Sequence, residues 1–240
     1  MFRIWVQTFL PSVITSVLYF VIFGSVLGSR IGSMQGVAYM SFVVPGLVML
    51  AIVTNAYSNT SFTFFQNKFF FRAIDEILVS PTPPWLLIMG FISGGIVRGV
   101  IVGTIVLLIS LFFTGLHLAV ANIAIIFVFA VLTALVFSLA GLVNAVYAKS
   151  MDAINIVPTF VLTPLVYLGG VFYSVHSLPQ FAQYFTYVNP IFYLINGFRY
   201  GFLGIADIPL WISFAVLTGM IALLVAINWY LIRTGLGLKQ

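Results

Sequence analysis

The chain has 240 residues, of which 62% are hydrophobic and only 5% charged, with a formal net charge of +5 and no cysteine. A soluble domain carries about 25% charged residues, so this chain cannot cover a water-exposed surface, and a bilayer has to solvate most of it. The missing cysteines exclude disulfides, thiolate metal sites and Cys-based catalysis, and nine basic residues scattered between apolar runs make no continuous patch for nucleic acid.

A membrane-crossing helix needs about 20 mostly apolar residues. Six stretches qualify, which predicts an all-α, polytopic membrane protein forming a single domain over residues 1–240. The first is residues 11–28, read as a retained span rather than a cleaved signal because its apolar run continues to full spanning length. The second is residues 36–57.

A cytoplasmic helix is then expected over about 60–80. Lys68, Arg72, Asp75 and Glu76 share one arc of about 100° on a helical wheel, Phe62, Phe65, Phe69, Phe70, Ala73 and Ile77 take much of the rest, and Ser80-Pro81-Thr82-Pro83-Pro84 stops it. Two readings fit this pattern: an interfacial helix lying on lipid, or a docking helix whose charged strip meets a cytoplasmic partner.

The third span, residues 85–113, contains Arg98, the one charge well inside a span. A buried ionisable group costs at least a few kcal/mol to insert, which makes it a functional candidate. Gly94, Gly95, Gly99 and Gly103 lie on roughly the same half of the helix and would let a neighbouring helix approach closely. Arg98 then either pairs with polar groups in that packed face or touches a transported substrate.

The fourth and fifth spans are residues 118–148 and 154–173. The segment before the sixth span, residues 210–232, is too apolar and aromatic for a solvated loop, and each half is too short to cross. It reads as an outer re-entrant hairpin over about 177–204, broken at Asn189-Pro190 and followed by Arg199. With the N-terminus in the cytoplasm, Arg3, Lys68, Arg72, Lys149, Arg233 and Lys239 fall inside and Arg30 and Arg199 outside. That balance obeys the positive-inside rule and predicts both termini cytoplasmic.

Catalytic constellations are scarce. The four acids Asp75, Glu76, Asp152 and Asp207 make no acid/base pair, His117 and His176 have no acidic cluster for a metal, and no phosphate-binding P-loop occurs. No catalytic, cofactor or metal site is expected, so ATP, if it drives this protein, binds another subunit. No chain of buried acids suggests an ion-coupled carrier. A non-transporting structural or assembly protein remains the other alternative.

Three segments carry a family resemblance. Ile74-Asp75-Glu76-Ile77-Leu78-Val79-Ser80-Pro81 resembles an acidic coupling segment, and Gly94-Gly95-Ile96-Val97-Arg98-Gly99 resembles a third-span motif. The run from Pro158 through Pro164 and Gly169-Gly170, then Val188-Asn189-Pro190 and Phe198-Arg199-Tyr200-Gly201, is similar to a C-terminal signature. Together they resemble the permeases of type-2 ABC exporters over essentially the whole chain.

That resemblance implies a multi-pass protein of the bacterial inner membrane. It would work as a homodimer surrounded by membrane lipid, with two copies of a separate ATP-binding cassette ATPase and no nucleic acid. Arg72, Asp75, Glu76, Leu78 and Pro81 would lie in the ATPase-coupling segment. The first and fifth spans would line the dimer interface and substrate route, with Pro158, Pro164, Gly169 and Gly170 shaping the fifth. Members of that family carry an interfacial helix before the first span, of which residues 1–10 would be the end. Aromatic residues at the outer end, Phe172, Tyr173, Tyr187 and Tyr193, suit an amphipathic or lipid-like cargo, and an aromatic belt at the membrane interface would look the same.

Overall fold

The computed structural model describes residues 2–74, 76, 80–114 and 120–238, and it is almost entirely helical. Helix α1 (Phe2–Tyr19) runs on as a π-helical stretch, Phe20–Leu27, and a last α-turn, Gly28–Ile31. Helix α2 is Tyr39–Phe69, α3 Pro84–Phe113 and α4 Ile123–Tyr147. Helix α5 (Met151–Val157) continues through π-helical Pro158–Leu162 into Thr163–Tyr167. Short helices α6 (Gln180–Val188) and α7 (Pro190–Leu203) precede α8 (Leu210–Thr234).

By length and composition α2, α3, α4 and α8 can cross a bilayer, whereas the apolar parts of the first and fifth helices, Leu10–Phe23 and Met151–Tyr167, are shorter. Helix α2 is the central post and is buried along most of its length. Helix α8 is the opposite case, with only 11% of its most apolar stretch buried. A helix that is apolar yet exposed needs lipid around it.

In lipid the hydrophobic effect does not drive helices together, so close packing and interhelical hydrogen bonds have to. Gly95, Gly99 and Gly103 of α3 face Ala56 and Ile52 of α2, and a side chain at any of them would meet those neighbours. Gly94 is looser: among the described residues, the Asn59 amide alone comes near its missing Cβ, at 3.4 Å. Ser61 of α2 donates to the Gly141 carbonyl of α4 at 2.7 Å, and Asn228 of α8 donates to Leu139 of α4 at 3.1 Å.

Several expected boundaries move. The second span does not begin at residue 36, because Ser33–Met34 and Val37–Ala38 pair as a two-stranded hairpin. Its turn, Gln35-Gly36, has φ of 51° and 81°, the double left-handed geometry that two-residue hairpins favour. More consequentially, the helix expected to start near residue 60 is the continuation of α2, which reaches Phe69 without a break. No glycine or proline interrupts residues 47–69, and Thr60, Ser61, Phe64 and Phe65 are buried in the bundle rather than laid on its surface.

The chain bends at Phe70–Phe71, with Arg72 in the left-handed region at φ 51°. Helical backbone resumes at Ala73, Ile74 and Glu76. Helix α4 starts at Ile123 rather than 118, because the Asn122 side chain accepts hydrogen bonds from the Ala124 and Ile125 amides (3.0 and 3.2 Å) and sets the N-terminus there; residues 115–119 lie outside the described ones. The fifth helix begins earlier than expected, where Ser150 caps Ala153 (3.2 Å). It ends earlier too, at Tyr167, ahead of Gly170 with φ 82°.

Candidate functional site

Three helices enclose a cavity of ≈ 280 Å³: α1 contributes Ser12 and Tyr19, α2 Thr54 and Asn55, and the fifth helix Thr163 and Tyr167. Its wall is ordered by polar contacts between helices. Ser12 and Asn55 hydrogen-bond at 3.2–3.3 Å, and the Tyr19 and Tyr167 hydroxyls meet at 3.0 Å. Asn55 also returns an amide hydrogen to the Ala51 carbonyl at 2.9 Å, which keeps it from being an unsatisfied polar group.

The prolines explain the shape of the fifth helix. Proline has no amide hydrogen, so Pro158 and Pro164 each delete a helical bond, and the helix shifts to the wider π pattern between them. Thr163 Oγ1 then donates to the Pro158 carbonyl at 2.9 Å. Gly169 packs against Ile191 of α7, with 2.9 Å to the position a Cβ would take. Sequence reasoning singled out Pro158, Pro164, Gly169 and Gly170. Ser12, Tyr19 and Tyr167 were missed, because a hydroxyl in an apolar run says nothing by itself about which neighbour it meets.

Arg98 sits apart from this cavity. Its Nη1 donates to Asn59 Oδ1 of α2 at 3.1 Å. The half-buried guanidinium forms one wall of a second cavity, ≈ 360 Å³, between α2, α3 and the start of the fifth helix.

At the far end the hairpin is tied down by a buried ion pair. Asn189 caps α7 by accepting from the Ile191 amide (3.0 Å) and donates its own amide to Leu165 of the fifth helix (2.5 Å). Arg199 is 2% exposed. It donates to the Gly170 carbonyl at 2.6 Å, reaches Asp207 at 3.4 Å, and stacks over the Phe42 ring at 3.9 Å. Burial pulls its pKa down to about 10 and Asp207 opposes that fall, so the guanidinium keeps its charge at neutral pH. Asp207 also accepts from Gln35 (2.8 Å) and Ser174 (2.9 Å), and His176 lies 3.8 Å away. This cluster joins the strand hairpin, the end of the fifth helix, α7 and the lead into α8. The sequence offered both charges but no reason to pair them.

Of the expected coupling residues, Arg72, Glu76 and Pro81 are exposed around the bend after α2, whereas Asp75 and Leu78 lie outside the described residues. Lys68, expected on the same charged strip, turns the other way and is buried. Its Nζ donates to the carbonyls of Val146 (2.8 Å) and Gly237 (2.7 Å). Val146 is in the last turn of α4, where carbonyls lack helical partners and the helix dipole favours a cation, so an inward lysine is satisfied there.

The family pattern described as ABC-2 type transporter matches residues 1–203. The chain belongs to the ABC-2 type transporter family. It is 54% identical over 238 residues to the inner membrane transport permease YadH of Escherichia coli (strain K12), a match covering 99% of this chain and 92% of that permease. The Shigella flexneri permease of the same name matches to the same extent. The similarity to Nodulation protein J of Bradyrhizobium diazoefficiens is more distant, 24% over 171 residues, covering 69% of this chain and 63% of that protein.

A permease of the ABC-2 type is a component of transport, not an enzyme, and this chain is a multi-pass membrane protein of that kind. In this ABC-2 chain Lys68 holds the C-terminal tail against α4. Lys68→Met is expected to leave two carbonyls without their donor and to cost about 1–3 kcal/mol. The check is a lower unfolding midpoint together with faster proteolysis of the tail.

Proposed function

We propose that this chain is the transmembrane subunit of an ATP-driven ABC exporter in a bacterial inner membrane. It forms the substrate pathway as a homodimer and couples to a separate ATP-binding cassette ATPase. The composite first and fifth helices cross the bilayer along with α2, α3, α4 and α8, making six spans with both termini cytoplasmic. The α6–α7 hairpin dips into the outer leaflet. The cargo is amphipathic or lipid-like.

The observation that carries this reading is the cavity framed by the first, second and fifth helices in a chain of ABC-2 family sequence. Its lining mixes hydroxyls with apolar surface, the kind of wall that takes a molecule with both characters. The bend after α2 exposes Arg72 and Glu76, which suits contact with a second protein. ATP-driven closure of the ATPase would bias the permease between its states through differential contacts at that bend.

The test is to co-express the chain with its ATPase partner, purify the pair in lipid nanodiscs and measure ATP hydrolysis with Asp75→Lys and Glu76→Lys combined. We expect the double reversal to leave insertion and dimerisation intact while reducing permease-dependent hydrolysis at least about tenfold, a loss of about 1.4 kcal/mol or more in coupling. Undiminished coupling would remove these two acids from the contact. Failure to form a complex with any cassette ATPase would favour a structural or assembly protein.

A further inference from the structure

We infer that the cavity beside Arg98 is a binding site for an amphipathic anion, whose phosphate or carboxylate head lies against Arg98, Asn59, Ser58 and Asn155 and whose tail runs out over Phe62 and Met151. The cavity is ≈ 360 Å³, large enough for a polar head and its linker but not for a whole lipid. Everything beyond the head therefore has to lie outside. Phe62 and Met151 supply that path: both line the cavity and both are exposed, at 45% and 36%.

The sign of the charge follows from the guanidinium, the charged group among the described residues of the lining. A guanidinium fork fits a phosphate or carboxylate with two parallel hydrogen bonds, and its plane is oriented here by the bond to Asn59 Oδ1 at 3.1 Å. A cationic ligand would be repelled. A neutral polyol would find more hydroxyls in the cavity between α1, α2 and the fifth helix, where Ser12, Thr15, Ser16, Tyr19, Thr54, Thr163 and Tyr167 line the wall. The depth also fits. The fifth helix contributes residues from Met151 to Pro158, about 10 Å of helix at 1.5 Å per residue, so the head enters near one end of the bundle rather than at its centre.

The same chemistry belongs to an anionic lipid resident in the bilayer and to an anionic cargo, and only the second rests on the exporter reading. The full-length chain, purified in detergent, is titrated with phosphatidylglycerol and with phosphatidylcholine of equal chain length, and bound lipid is counted by native mass spectrometry. Wild type is expected to retain phosphatidylglycerol about tenfold more strongly, and Arg98→Gln to erase the difference. An equal preference in wild type and Arg98→Gln overturns the proposal.

Should Arg98→Gln fail to fold, Asn155→Leu changes an exposed lining residue with Arg98 in place. It is expected to lower phosphatidylglycerol retention severalfold, and no change there is equally fatal. Fluorescent phosphatidylglycerol in proteoliposomes with the ATPase partner then separates the sources: ATP-driven loss from one leaflet identifies cargo, and binding without movement identifies a resident lipid. The binding arm needs neither ATP nor ATPase, so a failure of coupling leaves it readable.

Discussion

Arg199→Met should lower the stability of this protein by about 3–5 kcal/mol, the usual consequence of removing one partner from a buried ion pair. The cost does not come from the attraction lost but from what is left behind. Asp207 is 1% exposed at its side chain and would keep a buried negative charge, with Gln35 and Ser174 donating to it and His176 3.8 Å away. The Gly170 carbonyl would lose the donor at 2.6 Å, and the Phe42 ring its cation. Asp207→Asn is expected to cost less, because an amide still accepts from Gln35 and Ser174 and leaves the arginine its carbonyl and ring. Arg199→Lys should fall near Arg199→Met, since an ammonium cannot reach Gly170, Asp207 and the ring face together. Tryptophan-fluorescence melting of the purified variants in detergent measures all three. A midpoint for Arg199→Met within error of wild type would show that the hairpin is held by packing alone.

Two adjacent glycines are expected to respond in opposite directions. A Cβ at Gly95 would collide with the Thr60 and Ser138 hydroxyls and come within 2.8 Å of the Ala56 carbonyl, where α2, α3 and α4 meet. The two hydroxyls can turn about χ1, but the Ala56 carbonyl cannot retreat without moving α2, so Gly95→Ala should destabilise by about 1–3 kcal/mol, the range for overpacking, despite alanine's helix propensity. At Gly94 the nearest atom is the end of the Asn59 side chain at 3.4 Å. Gly94→Ala is expected to be neutral or to stabilise by up to about 1 kcal/mol through helix propensity. Melting and the yield of folded protein read both variants, and equal effects at the two positions would contradict the packing described.

The apolar runs were legible in the sequence because length and hydropathy are local properties, and α3 and α8 lie within a residue or two of expectation. The break at Asn189-Pro190 was legible for the same reason: a capping side chain followed by proline is a local signal. Where α2 ends was not. Ser58, Asn59, Thr60 and Ser61 look like a polar exit from the membrane, yet Ser61 spends its hydroxyl on a carbonyl 80 residues away. Lys68 is another example, since its carbonyl partners lie 78 and 169 residues downstream. Charges read as topology markers became internal ties, because distance along the chain hides a partner even when both residues are conspicuous. Of the cavity residues, the prolines announced themselves and the hydroxyls did not.

The π-helical stretch at Pro158–Leu162 also sets a rule for reading scanning experiments on the fifth helix. Each i→i+5 turn takes in one more residue than an α-turn, and one residue is worth about 100° of rotation. A wheel drawn at constant pitch from Met151 would therefore turn Thr163 and Tyr167 away from the Tyr19 and Asn55 wall that they share. Cross-linking or accessibility data collected along this helix will show a phase jump near Pro158. Two periodic series, fitted on either side of that proline, will describe them where one cannot.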